Sequence, residues 1–561
     1  MLTRNLVVRS VPSLSRGTGS GARPRPFPVL QDSLDTSCPQ LTAGKAKAEK
    51  SIAKLKMLND LCLAGGGEKG IAVHVKRNRK LLVRDKLLHL LDNDRDFLEL
   101  GLLAGLGQAY GDVPAAAAIC GIGKINDRYC VIIASDGTVK SGTIFPITIR
   151  KVGRVQNQCR QSRLPCVNLV DSAGGFLPLQ HDFFADKNHG GRGFYRPPVM
   201  SSEGIPQLAL VCGSCTAGGA YHPSMCEDVA IVTRIGTIFL GGPPLVKAAT
   251  GEDISAEELG GATLHCKVSG VTDYFAATEE EGFEILRDLV ATLNIQPVIN
   301  SPESEEPRLD SVVLNDISGL EIIDRSKLYS VIARIVDGGR FREFKQLFGK
   351  NLTTGYAFVE GRCVGIIGNA GPLLYEDGLK GSHFLQICQQ RRLPVIFLQN
   401  SGPLAAYQAS VSELSADASH QAIKGRAAML AALSCITVPK ISINIGSCHG
   451  DDNYTMCGPS FSPSFIFSWP EATVTHTMNP PPLPQAQPAA ATPEGKEKPK
   501  KKSLTAFSFP LGSSFYMAGE ALVDGILVPS DTRKVITKCL QICRQQETML
   551  NNTKDFPVFR L

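Results

Sequence analysis

The amino-acid sequence predicts an α/β protein built from two tandem halves that are related by internal duplication. Short apolar runs such as 395–398 alternate with helical stretches such as 149–160, which is the pattern of buried strands between helices. Three ordered landmarks occur twice at similar spacing. In addition, 561 residues exceed what one hydrophobic core usually accommodates.

The repeated landmarks are an arginine–leucine–proline triplet, an apolar run that ends in small residues, and a second strand that ends in glycine–serine–cysteine. In the first half the triplet begins at Arg163 and the glycine is Gly213, 50 residues later. In the second half the triplet begins at Arg392 and the glycine is Gly446, 54 residues later. Matched order and spacing predict two copies of one unit.

The amino-terminal segment, residues 1–31, has the composition of a mitochondrial transit peptide. It is rich in arginine and serine, and no acidic residue occurs before Asp32. The alternative is a disordered basic tail without a targeting role. We expect import into the mitochondrial matrix.

The domain limits follow from changes in composition along the chain. An amphipathic helix is predicted over 41–63 and opens an amino-terminal domain, 41–299. The polar segment 300–307 is interpreted as a linker, and 308–561 as the carboxy-terminal domain. Within it, the proline-, alanine- and lysine-rich tract 479–502 is predicted to be disordered, because it cannot bury enough apolar surface.

The bulk properties exclude several functional classes. Hydrophobic residues make up 43% and charged residues 20% of the chain, which is typical of a globular protein. A formal charge of +6 is small for this length, so we expect no nucleic-acid partner. The sequence contains no run of about 18 apolar residues, so it predicts no membrane-spanning helix. It also predicts no metal site.

Two sets of small residues follow buried strands in the first half, residues 173–175 (Ala-Gly-Gly) and 217–220 (Ala-Gly-Gly-Ala). Backbone N–H groups exposed there can converge on one oxygen atom and form an oxyanion hole. Each such donor contributes roughly 3 to 4 kcal/mol at a transition state without any ionisable side chain. The alternative is that these glycines serve only tight turns. A triad of Asp171, His181 and Ser172 is disfavoured, because no GxSxG turn carries the serine.

The sequence also resembles a known family, the biotin-dependent acyl-CoA carboxyltransferases, and among them the methylcrotonoyl-CoA carboxylase beta subunits. The strongest similarity lies in residues 213–221 (Gly-Ser-Cys-Thr-Ala-Gly-Gly-Ala-Tyr) and in 236–252. The segment 189–195 is similar to the methylcrotonoyl type rather than to the propionyl type. The similarity extends from 64 to 478 and resumes over 515–533.

This resemblance implies a crotonase-like (ClpP/crotonase) fold in each half. It also implies transfer of a carboxyl group from carboxybiotin to a branched unsaturated acyl-CoA, such as 3-methylcrotonoyl-CoA in leucine degradation. The biotin would be carried by a partner alpha subunit, which would use ATP and bicarbonate, and would meet the second half of a neighbouring beta subunit in a homo-oligomer. The family's acyl-CoA oxyanion hole maps onto Ala173, Gly174, Gly175, Gly218 and Gly219.

The second half departs from the family pattern on the biotin side, at Gly402, Gly450, Asp451 and Asp452. Relatives carry Tyr-Gly-Ala-Gly-Asn-Tyr where residues 449–454 read His-Gly-Asp-Asp-Asn-Tyr. Like charges about 4 Å apart cost of order 4 kcal/mol at an effective dielectric near 20, so the two carboxylates predict an impaired site. Pro403, which has no N–H, replaces part of a Thr-Gly-Phe pattern.

Two alternatives to the carboxyltransferase remain open from the sequence. One is an impaired paralogue that binds acyl-CoA or carboxylase subunits without using biotin. The other is a crotonase-type hydrolase or isomerase that uses only the first oxyanion hole.

Overall fold

A computed structural model describes residues 27–35, 37–184, 186–293, 295, 304–476 and 506–548. Most of the predicted transit segment, part of the predicted linker and the predicted disordered tract 479–502 lie outside the described residues. Within these ranges no helix is both long enough and apolar enough to cross a bilayer.

The first half forms an eight-stranded sheet in which an antiparallel meander leads into parallel strands. Its strands are β1 (Leu98–Leu100), β2 (Ala118–Ile125), β3 (Arg128–Ser135), β4 (Cys166–Ser172), β5 (Gln207–Thr216), β6 (Asp228–Val232), β7 (Thr237–Phe239) and β8 (Tyr274–Ala276). The order is β1-β2-β3-β4-β5-β6-β8, and β7 pairs with the end of β5.

The second half repeats this arrangement in a seven-stranded sheet and an added two-stranded one. Its strands are β9 (Phe341–Phe344), β10 (Leu352–Val359), β11 (Arg362–Asn369), β12 (Val395–Gln399), β13 (Lys440–Asn444), β14 (Ser447–His449), β15 (Phe465–Ser468), β16 (Thr473–Thr475) and β17 (Gly525–Ile526). The order is β17-β15-β13-β12-β11-β10-β9, with β14 paired to β16. Both sheets begin with three antiparallel strands and continue in parallel, which confirms the predicted α/β fold of two duplicated halves.

The helices cover the sheets and include each helical stretch that the sequence predicts. In the first half they are α1 (Pro39–Leu63), α2 (Gly67–Ala72), α3 (Val83–Leu90), α4 (Pro146–Ser162), α5 (Gln180–Phe184), α6 (Arg192–Ser202), α7 (Tyr221–Ser224), α8 (Pro243–Thr250), α9 (Ala256–Gly260), α10 (Ala262–Leu264) and α11 (Glu279–Thr292). In the second half they are α12 (Val313–Ser318), α13 (Arg325–Ile335), α14 (Tyr375–Gln390), α15 (Leu404–Ser412), α16 (Ala416–Cys435), α17 (Asp452–Thr455), α18 (Ser514–Gly519) and α19 (Thr532–Thr548).

The duplication extends to details that the sequence does not reveal. Arg163 and Arg392 both adopt left-handed backbone, with φ of 49° and 53°, beyond the ends of α4 and α14. Lys151 of α4 is buried and donates to the carbonyls of Ala115 and Ala118, three positions apart at the start of β2, at 2.9 and 2.7 Å. Lys380 of α14 makes the matching pair of contacts, at 3.3 and 2.6 Å, and burial lowers its pKa to about 8.

One hydrophobic core joins the two halves. It contains side chains from both sheets together with α13 and α19, and the single tryptophan, Trp469, is fully buried in it. Arg154 of α4 binds the carboxylate of Asp524 in the second half with two hydrogen bonds, at 2.6 and 2.8 Å. The carboxy-terminal elements therefore pack on the first half as well as on their own sheet.

The contact between α14 and α16 depends on two glycines. A Cβ at Gly378 would lie 2.2 Å from the backbone of Gly425. We expect Gly378→Ala to destabilise the fold by about 1 to 3 kcal/mol, because backbone atoms cannot move aside as a flexible side chain can. Unfolding followed by Trp469 fluorescence measures the loss. Gly193→Ala is the control: nothing lies within 4 Å of its Cβ position, so unchanged or higher stability is expected. Equal midpoints for the two variants would contradict this packing account.

Candidate active site

The two small-residue segments of the first half lie side by side. Strands β4 and β5 are parallel neighbours, and Ser172 at the end of one pairs with Cys215 near the end of the other. Residues 173–175 directly follow β4, and residues 217–220 directly follow β5. The two segments lie close together because the carboxyl ends of parallel strands meet at one edge of a sheet. Gly175, Gly218 and Gly219 all line a cavity of about 240 Å³ there.

The backbone at this edge explains which positions need glycine. Gly174 has φ of 91°, in the left-handed region, whereas Ala173 does not adopt positive φ and tolerates its methyl group. A Cβ at Gly175 would lie 2.6 Å from the ring of Phe183, so this position is confined by the cavity wall. At Gly219 nothing lies within 4 Å of the Cβ position, which faces open space.

The amides of this edge are not equally available. The N–H of Ala173 donates to the carbonyl of Ser141, and that of Gly174 donates to Oγ of Ser172, each at 3.2 Å. In the described part of the chain, the Gly175 amide has no acceptor. Gly218 lies in the first turn of the short 3₁₀ helix 217–220, where N–H groups lack intrahelical acceptors. The amides of Ala173 and Gly174 are therefore engaged within the turn in this structure.

Asp171 fixes the two strand ends relative to each other. Its Oδ1 accepts from the backbone N–H of Ser214 on β5 at 3.2 Å and from Lys80 Nζ at 2.8 Å. The side chain of Asp171 is only 9% exposed, so the ion pair is shielded from solvent. The Ser214 hydrogen bond joins the ends of β4 and β5, and Lys80 balances the charge of the buried carboxylate.

The disfavoured triad is not assembled. Oγ of Ser172 donates to the carbonyl of Gly142 at 2.7 Å and also accepts from the Gly174 amide. His181 is exposed on α5, and the acidic group of Asp171 is engaged by Lys80. Ser172 and Asp171 are thus engaged at the turn, and His181 does not contact them.

Two polar pairs in the cavity wall were missed from the sequence. Nε2 of His222 lies 3.1 Å from Oδ1 of Asn168, and Nη1 of Arg196 donates to Oε1 of Gln156 at 3.3 Å. Burial lowers the pKa of His222, which favours the neutral imidazole. The one signal in the sequence was Asn168, a polar residue inside the apolar run of β4.

The second half repeats the turn with different side chains. Residues 446–454 correspond position by position to 213–221, and Gly450 has φ of 54°, the same as Ala217. The Gly450 amide donates to the carbonyl of Thr475 at 2.7 Å. Asp451 and Asp452 thus occupy the positions of Gly218 and Gly219.

The carboxylate of Asp452 is turned into the protein. It is fully buried, accepts from Oγ of Ser401 at 2.8 Å and from the Leu373 amide at 3.3 Å, and lies 3.8 Å from Nη2 of Arg426. Burial outweighs these contacts and raises the pKa of Asp452 to about 6. The carboxylate therefore points into the protein interior, toward Ser401 and Leu373, and away from the surface of the turn.

Asp451 faces outward, with 66% of its side chain exposed, and its Oδ2 lies 3.7 Å from Nη1 of the same Arg426. The sequence predicted an impaired site because it showed two carboxylates and no nearby positive charge. The structure corrects that electrostatic expectation. Arg426 of α16 places one positive charge within 4 Å of each. The counter-charge comes from a helix distant in sequence, so the local motif does not predict it.

A hydrogen bond from His449 joins the loop after β12 to β14. Nε2 of His449 donates to the carbonyl of Gly402 at 2.9 Å, and its Nδ1 accepts from Oγ1 of Thr475 at 2.7 Å. Gly402 has φ of 80°, with nothing within 4 Å of its Cβ position, and Pro403 caps α15. The biotin-side residues predicted from the sequence therefore meet at one edge, which corresponds to the glycine edge of the first half.

Comparison with known proteins gives consistent matches over both halves. The Carboxyl transferase domain family matches residues 74–556. The mitochondrial methylcrotonoyl-CoA carboxylase beta chain of Arabidopsis thaliana is 41% identical over 574 residues, covering 97% of this chain and 96% of the relative. The biotin-dependent 3-methylcrotonyl-coenzyme A carboxylase beta1 subunit of Mycobacterium tuberculosis is 42% identical over 511 residues, covering 88% and 94%. Among solved structures, the geranyl-CoA carboxylase beta subunit of P. aeruginosa superposes with a TM-score of 0.79 at 28% identity, covering 95% and 99%.

The raised pKa of Asp452 makes a pH prediction. The folded state binds the Asp452 proton more tightly than the unfolded state does. Protonated Asp452 therefore stabilises the fold below about pH 4, and this stabilisation is lost as the pH rises through about 6. Asn does not titrate, so Asp452→Asn should remove this loss. The difference in unfolding temperature, variant minus parent, should therefore increase from pH 4 to pH 6. Asp451→Asn is the matched control and should follow the parent. Parallel pH profiles for the parent and Asp452→Asn would contradict the assignment.

Proposed function

Because the chain belongs to the carboxyl transferase family, we propose that it is the carboxyltransferase subunit of a biotin-dependent acyl-CoA carboxylase. It moves a carboxyl group from carboxybiotin to a branched, unsaturated acyl-CoA such as 3-methylcrotonoyl-CoA. The observation that carries the proposal is the convergence of the Gly175 and Gly218 backbones on one cavity at the ends of β4 and β5.

In this proposal the first half holds the acyl thioester. Loss of a proton from the acyl group places negative charge on the thioester oxygen, and the amides of Gly175 and Gly218 donate to that oxygen. These donors act more strongly on the charged transition state than on the neutral thioester, which is the condition for lowering a barrier. No ionisable side chain is needed at the oxygen.

Carboxybiotin, when delivered by a partner subunit, would supply the carboxyl group, and the ring nitrogen released from that group would take up the acyl proton. Gly402, Gly450, Asp451 and Asp452 would hold it. They fit an acceptor oxygen on biotin, because the Asp452 carboxylate is turned away from the turn surface and Arg426 lies beside both acids. Asp451 and Asp452 act in this proposal through their backbone amides, in place of Gly218 and Gly219.

The assembly and location belong to the same proposal. A biotin-carrying alpha subunit that uses ATP and bicarbonate would serve a homo-oligomer of this chain, in the mitochondrial matrix. The plant relative is named mitochondrial, and the first 31 residues hold five arginines and no acid. We assign 1–31 to the transit segment, 41–299 to the acyl-CoA domain, 300–307 to the linker and 308–561 to the biotin domain.

The impaired paralogue gains no support from the comparisons. The similarity covers 97% of the chain and so includes the second half, which a protein that had abandoned biotin would not need to retain. The ion pairs of Arg426 also weaken the electrostatic argument that favoured this alternative.

A reconstituted carboxylation assay tests the proposal. Purified protein with a biotinylated alpha subunit, ATP, labelled bicarbonate and 3-methylcrotonoyl-CoA should fix label into the thioester. Omission of any component, or use of an alpha subunit without biotin, should abolish the signal. Thioester binding without label fixation would contradict the proposal.

A second experiment isolates charge at the oxyanion position. Gly219→Asp places a carboxylate where the second half carries Asp452, but without the contacts that turn Asp452 inward. Relative to the isosteric Gly219→Asn, we expect kcat/KM to fall at least about tenfold, because a negative charge near the donors opposes the developing oxyanion. Equal kcat/KM values for the two variants would show that no negative charge develops at this edge.

A further inference from the structure

Arg196 lies in the wall of the acyl cavity without a charged partner. It is on α6, and its only hydrogen bond in the described part of the chain is the 3.3 Å contact with Gln156. No acidic side chain of the described residues is within 4 Å of its guanidinium. A partly buried arginine is normally paired with a carboxylate or phosphate, because desolvation of the charge is unfavourable.

The opposite helix is shaped to admit this guanidinium. Gly153 lies inside α4, and a Cβ there would come within 2.5 Å of Nη1 of Arg196. Glycine inside a helix lowers its stability relative to alanine. Helix formation in α4 therefore does not explain Gly153, whereas the close approach of Arg196 does. Gly153 and Arg196 thus form a fitted pair, and both line the cavity that holds Gly175 and Gly218.

Two of the other cations nearby, Arg160 and Arg192, already have partners. Arg160 forms an ion pair with Glu203, and Arg192 stacks on the ring of Tyr195, 3.7 Å from its centroid. Burial, then Arg192 and Arg160, lower the pKa of Arg196, which reflects a positive local potential with no compensating acid. Among the described residues no acid completes this site, so an anion carried by a ligand can do so.

We propose that Arg196 binds a carboxylate carried by the acyl group, so that the cavity accepts CoA monothioesters of dicarboxylic acids. The inference rests on the proposed function in one respect, that acyl-CoA occupies this cavity. A carboxylated acyl group is what the proposed reaction makes, and Arg196 offers its new carboxylate a planar, two-pronged donor. Arg196 thereby determines which acyl groups are held.

Calorimetric titration with two thioesters of equal chain length, pentanoyl-CoA and glutaryl-CoA, tests the assignment. The parent protein should bind glutaryl-CoA about tenfold more tightly, the effect of one charge-assisted hydrogen-bonded pair. Arg196→Gln should abolish this preference and leave pentanoyl-CoA binding unchanged. Gly153→Ala should reduce the preference while retaining every charge, because its Cβ displaces the guanidinium. Arg192→Gln is the control and should keep the preference.

Each other outcome overturns the proposal. If Arg196→Gln weakens glutaryl-CoA, pentanoyl-CoA and free CoA equally, the residue binds a CoA phosphate instead. If the parent protein shows no preference, or the variant retains it, Arg196 has no role toward an acyl carboxylate. The titration needs no biotin, so a failed carboxylation assay with the preference intact would refute the proposed function and leave this assignment standing.

Discussion

The parallel pairing of β4 with β5 is the constraint on which the site depends. It brings two turns of small residues to one edge of the sheet, and the hydrogen bond from the Ser214 amide to the Asp171 carboxylate joins the two strand ends there. Backbone amides have no pKa near neutrality and need no partner residue to activate them. A fold that fixes strand ends can therefore stabilise an oxyanion through geometry alone.

The duplicated halves show how far side chains can change while the backbone is retained. Gly450 keeps the φ of Ala217, and the strand orders agree, although two acids replace Gly218 and Gly219. The structure accommodates the acids by burying one behind the turn and by placing Arg426 near both. The duplicated edge thus differs in electrostatics rather than in shape.

The sequence was sufficient for the fold, because apolar runs and helical spacing are local patterns. It also identified the two small-residue segments that the structure brings to one sheet edge, because small residues after a strand are a local pattern too. It was insufficient wherever a contact joins distant segments. Arg426 lies between its two acids only because α16 packs over the turn, and Gly153 faces Arg196 only because α4 and α6 meet. Which amides are free also depends on acceptors such as Ser141 that no local motif identifies.

We propose that the amides of Gly175 and Gly218 donate to the thioester oxygen of a bound acyl-CoA. Isotope-edited infrared spectroscopy of an acyl-CoA labelled with ¹³C at the thioester carbonyl measures this polarisation directly. If these amides donate to the oxygen, the C=O stretch lies at lower frequency in the bound thioester than in water. A bound frequency equal to that in an apolar solvent would show an oxygen without donors and would contradict it.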